Sequence, residues 1–181
     1  MNCSVLIRIS VNKIGAAMKV KSAKGFSLIE LLIVMAIIAI VVSMASFTWQ
    51  HYVNNANLRT AARELATDIA QTKQKSVGEM VHYHMTISTG IPGNYTIEKW
   101  NAADTAIGTT IATKSPTDFG AGLSISSTNY PGNIINFQPR GTISDCNTGN
   151  PCNVVLQNSI GSSATIESNI TGRTYVTFAM Q

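Results

Sequence analysis

The chain has 181 residues, 45% of them apolar and 12% charged, with 13 Lys and Arg against nine Asp and Glu. That length allows one domain with an appendage. The composition excludes a disordered chain, a collagen-like repeat and a disulfide-dense miniprotein. The net charge of +4 belongs to one end: five of the 13 cations (Arg8, Lys13, Lys19, Lys21, Lys24) precede Gly25, where no acid stands. From Phe26 onward eight cations meet nine acids, a balance of −1. The excess charge therefore bears on membrane topology before it bears on nucleic acid.

Lys19, Lys21 and Lys24 lead into an apolar run that is unbroken from Leu31 to Val42. Residues 26–47 would make about 33 Å of helix, enough to cross a bilayer, and the preceding cations would hold the N-terminus in the cytoplasm. Three readings compete: a cleaved secretory signal with small residues Ser43 and Ala45 at its end, an uncleaved signal anchor, and a leader cut between Gly25 and Phe26. Glu30 separates them. A carboxylate costs roughly 2.5–3.5 kcal/mol at mid-bilayer and less near the interface, and neither of the first two devices needs one.

The run Lys24-Gly25-Phe26-Ser27-Leu28-Ile29-Glu30-Leu31-Leu32-Ile33-Val34 resembles the class III signal of type IV pilins and type II secretion pseudopilins. The resemblance implies cleavage after Gly25 by the prepilin peptidase and N-methylation of Phe26 by the same enzyme. Cleavage would create an α-ammonium on Phe26, four residues and one helix face from Glu30. A lone ammonium and a lone carboxylate are each unfavourable among apolar helices. Pairing between one subunit's Glu30 and a neighbour's Phe26 amine would offset both and set register in a filament. The leader, residues 1–25, is long for the family, and Met18 to Gly25 suffices alone, so translation is expected to start at Met18.

Between Phe26 and Val77 there is no Gly or Pro, which predicts one continuous helix. Its first part, residues 26–47, is expected in lipid or a filament core. Its second, residues 48–78, is amphipathic: Leu58, Ala61, Ala62, Leu65 and Ile69 form a stripe, with Arg59, Arg63, Glu64 and Asp68 off it. Gly78 is the expected stop. Trp49, His51 and Tyr52 fall where a membrane–water interface would lie, although packing within the shaft explains the aromatics equally well.

All five prolines and ten of the 13 glycines lie beyond Gly78. Residues 81–87 alternate apolar and polar, the pattern of a half-buried strand, and 94–100, 134–137, 153–156 and 174–180 also read as strands. Residues 101–132, rich in Ala, Thr, Ser and Gly, read as loops with one or two weak strands. The expected fold class is α+β: a long N-terminal helix packed on a C-terminal antiparallel β-sheet domain, residues 79–181, in the periplasm. Phe137-Gln138-Pro139-Arg140-Gly141 and Gly172-Arg173 resemble elements of GspH/FimT-type minor pilins and pseudopilins. That resemblance implies the pilin fold and a minor subunit that initiates or caps a pilus or secretion pseudopilus. Its partners would be other subunits, the prepilin peptidase and the inner-membrane assembly platform.

Cys3 falls in the leader, whereas Cys146 and Cys152 flank a turn-rich interval and are expected to form a disulfide in an oxidising compartment. His82 and His84 share a strand face, but two histidines without a carboxylate or Cys make a poor metal site, and they read as surface residues. No catalytic motif is present, so neither an enzyme nor a cofactor is expected. The FimT resemblance also raises DNA uptake, with Arg173 and Arg140 as contacts and Lys114 assisting. The charge of −1 after Phe26 weakens that alternative. Two others are a membrane-anchored binding protein that does not polymerise and a secreted β-rich protein released after Ala45.

Overall fold

The computed structural model describes residues 25–105, 108–144, 146 and 151–181, except the side chains of residues 45–48. The chain divides after Val41 into two units. Helix α1, Leu28–Glu79, begins in the first unit and ends in the second. Ile, Leu, Val and Ala dominate its opening turns, and its polar residues gather in the second unit.

In the second unit the predicted stripe becomes the buried face. Leu58, Ala61, Ala62, Leu65 and Ile69 are each at most 3% exposed. Thr72 and Ser76 extend the face and are also buried. Both are polar but satisfied: Thr72 Oγ1 donates to Asp68 O over 2.7 Å, and Ser76 Oγ lies 2.8 Å from Val81 O and 3.1 Å from Phe137 O. Asp68, expected off the stripe, is buried too. The helix runs through the expected stop at Gly78 and ends at Glu79. Met80 adopts φ +56°, taking the left-handed position that glycine usually fills.

Among the described residues eight strands form two four-stranded antiparallel sheets. Sheet A contains β1 (Tyr83–Ser88), β2 (Asn94–Lys99), β3 (Thr109–Lys114) and β5 (Ile134–Phe137), in the order β3-β2-β1-β5. Sheet B contains β4 (Ser124–Thr128), β6 (Cys152–Gln157), β7 (Ser163–Ser168) and β8 (Thr174–Ala179), in the order β4-β6-β7-β8. The loop-rich stretch 101–132 supplies β3 and β4. Strand β7 is not among the expected strands: Ser163 to Glu167 alternates polar and apolar, but with Ala164 and Ile166 as its only apolar residues the signal is weak.

Register explains how one core serves both sheets. In sheet A, Met85 faces Ile97 and Ile135, and Tyr83 faces Phe137, all buried. In sheet B, Val154 faces Ile166 and Leu156 faces Ala164, again buried. These residues join the helix stripe in a single hydrophobic cluster. The period-2 alternation of each strand thus meets the helical period of α1. Gly90 bridges Ile125 between the sheets, its N–H donating to the Ile125 carbonyl over 2.9 Å.

Candidate functional site

From Leu28 to Val41 the helix exposes its apolar surface on every side. Every Leu, Ile, Val and Met from Leu28 to Val41 is at least 49% exposed, and Phe26 is 81% exposed. A helix apolar all round needs lipid or other helices about it, and this one is long and apolar enough to cross a membrane. Glu30 lies in the first helical turn, where the positive end of the backbone dipole favours a carboxylate. Leu31 N–H donates to Ser27 O over 3.2 Å and closes that turn. Phe26 precedes the first helical residue, so the four-residue spacing to Glu30 crosses the helix start and does not lie along one helix face. In the uncut chain the Phe26 nitrogen is an amide; scission after Gly25 would make it a cation.

The two short C-terminal motifs become turns. Gly141 N–H donates to Gln138 O and Gln138 N–H to Thr142 O, folding the chain tightly after β5. Gly172 N–H donates to Asn169 O, and Arg173 N–H donates to Asn169 Oδ1. Both turns approach Lys73 on α1, whose Nζ donates to Thr171 O over 2.7 Å. A methyl at Gly172, where φ is +69°, would come within 2.6 Å of Lys73 Cδ, which explains glycine there.

Arg140 and Arg173 both have exposed side chains, and the Arg173 guanidinium lies 5.4 Å from the centre of the Tyr175 ring. Lys114, expected to assist them in contacting DNA, is already engaged. Its Nζ donates to Asp68 Oδ2 over 2.8 Å and to Glu64 Oε1 over 3.0 Å. Burial works against the ammonium, but those hydrogen bonds prevail and raise its pKa. Cys146 and Cys152 form a disulfide with Cα atoms 5.3 Å apart, and both are buried.

His84 departs from the surface reading. It is buried, with Trp100 stacked 4.3 Å from its ring centre and Asp104 Oδ1 2.9 Å from Nε2. Burial lowers its pKa, opposed by the Asp104 carboxylate. Local sequence does not reveal Asp104 as a neighbour: it stands alone in an Ala- and Thr-rich loop twenty residues away.

One long N-terminal helix followed by antiparallel sheets gives the chain a pilin-like fold. Residues 20–46 match the family model described as the prokaryotic N-terminal methylation motif. The fold is similar to that of the minor pseudopilin EpsH from the type 2 secretion system of Vibrio cholerae, at 8% identity and a TM-score of 0.51. That match covers 67% of this chain and 96% of the other. It is also similar to the type IV minor pilin FimU of Pseudomonas aeruginosa, at 13% identity and a TM-score of 0.52, covering 70% and 92%. No curated protein matches the sequence.

Proposed function

We propose that this protein is a minor subunit of a type IV pilus or a type II secretion pseudopilus, helping to initiate or cap the filament. The observation that carries this reading is the apolar helix, uncovered on all sides, with one acid in its first turn just beyond a Gly-Phe junction. Before assembly the helix spans the inner membrane with its N-terminus in the cytoplasm, and the β-rich unit stands in the periplasm. The prepilin peptidase cuts between Gly25 and Phe26 and methylates the new amine, which keeps its charge. Assembly moves the helix from lipid into a bundle of like helices. There Glu30 has no water to solvate it, and a neighbour's Phe26 ammonium supplies the counter-charge. The inner-membrane assembly platform and the other subunits are the partners this requires.

Glu30→Ala tests the role of the acid. The variant is expected to be cut and methylated normally, as intact mass reports, and to fall at least tenfold in sheared filaments. Wild-type incorporation of Glu30→Ala, or a mature chain beginning at Ser46, would overturn the proposal.

A further inference from the structure

We propose that His82, His84 and Asp104 bind one divalent transition-metal ion, with Zn2+ the best-suited, and that the ion fastens the loop after β2 to the outer face of sheet A. The donor atoms of these three residues all lie within 4.8 Å of one another. His82 and His84 are two apart, so they share one face, opposite to Tyr83 and Met85 in the core. The loop brings Asp104 over that face, with its backbone in the left-handed region at φ +57°.

Distances fit a compact ion. His84 Nε2 is 2.9 Å from Asp104 Oδ1; His82 Nδ1 is 3.7 Å from the other carboxylate oxygen, Oδ2, and 3.4 Å from Asn136 Oδ1, a contact the ion would replace. Donors around a tetrahedral ion with bonds of 2.0–2.1 Å stand about 3.3 Å apart, so His84 Nε2 and Asp104 Oδ1 would part by about 0.4 Å to admit one. The close approach of Nε2 and Oδ1 lacks hydrogen-bond geometry, and among the described residues neither buried atom finds another partner. Unsatisfied buried groups of this kind are costly, and a shared cation would satisfy both.

The surroundings hold the donors in place. Asn136 Nδ2 donates to Asp104 Oδ2 over 3.3 Å, which leaves Oδ1 turned to His84. Trp100 stacks on the His84 ring, and its Nε1 donates to Glu98 Oε2. A methyl at Gly108 would collide with the Trp100 indole, so glycine is required for that stacking. Outer contacts that orient ligands are characteristic of metal sites. The Asp104 side chain is 28% exposed and His82 17%, leaving an approach from solvent and a fourth position for water. Two imidazoles with a carboxylate suit Zn2+, whereas Ca2+ and Mg2+ favour all-oxygen shells.

The test uses the full chain in detergent, without a histidine tag and in a Cys3→Ser background so that the leader thiol does not contribute. Metal is stripped with chelator, and Zn2+ is titrated in against a chromophoric competitor. One ion per chain is expected, with binding weakened at least tenfold by His82→Asn, His84→Asn or Asp104→Asn and unchanged by His51→Asn. Co2+ should give visible bands of a four-coordinate site that Asp104→Asn abolishes. Because His84 is buried, the partly exposed Asp104 and His82 variants decide the matter, with far-UV circular dichroism checking their fold. Zn2+ at 100 times its Kd should favour the folded state about 100-fold in the parent and not in Asp104→Asn. No stoichiometric binding, or equal binding in parent and Asp104→Asn, would overturn the proposal.

Discussion

Tyr95 on β2 donates its hydroxyl to Asp68 Oδ2 on α1 over 2.6 Å, deep in the contact between helix and sheet. Lys114 on the edge strand β3 donates to the same carboxylate. One acid on the helix thereby ties two neighbouring strands of sheet A. Isolated, it would be a liability: a buried carboxylate with its partners removed is strongly destabilising.

Asp68→Ala should therefore lower the stability of the folded unit by about 2–4 kcal/mol, since it leaves the Tyr95 hydroxyl unpaired and Lys114 with Glu64 alone. Asp68→Asn should cost less, because its amide oxygen still accepts from Tyr95. Urea denaturation followed by tryptophan fluorescence measures both. Equal loss in the two variants would mean that the hydrogen bond contributes nothing.

Alkaline pH should weaken the same region. Burial, then the hydrogen bond to Glu79, pushes the Tyr83 pKa from 10.0 to about 12. Tyr95 is raised further, by burial first and then by Asp68, and burial also raises Tyr130. The unfolded chain releases these protons near pH 10 while the folded chain keeps them. Their contribution is thus complete below pH 10 and declines as pH rises through the folded values. Denaturation midpoints should fall progressively between pH 10 and 12, with part of the tyrosinate absorbance appearing only on unfolding. A flat midpoint over that interval would contradict the assigned shifts.

The disulfide closes a short loop, its cysteines six apart in sequence and both buried. Cys146→Ala with Cys152→Ala should reduce stability by about 2 kcal/mol. Reductant should produce a comparable loss in the parent and none in the double variant, as paired denaturation curves would show.

What the sequence determined on its own was whatever depends on short-range order. A glycine-free apolar run makes a helix, Glu30 stands out because every neighbour is hydrocarbon, and the Leu58–Ile69 spacing names the buried stripe before any fold is known. Strand β1 follows from simple alternation, and β5 from a short apolar run between turns. Strand β7 did not show itself, because two apolar residues among Ser, Thr and Glu become a strand only with β6 and β8 on either side.

Tertiary structure alone decided the charged and polar partnerships. Asp68 reads as a solvated residue until β2 and β3 bring Tyr95 and Lys114 to it. His82 and His84 read as surface residues until the loop after β2 lays Trp100 and Asp104 over them. Helix and strand periods are carried by neighbours a few positions apart, so they can be read along the chain. The cost of burying a charge depends on what the rest of the fold places within about 4 Å of it, and that is set by contacts far apart in sequence.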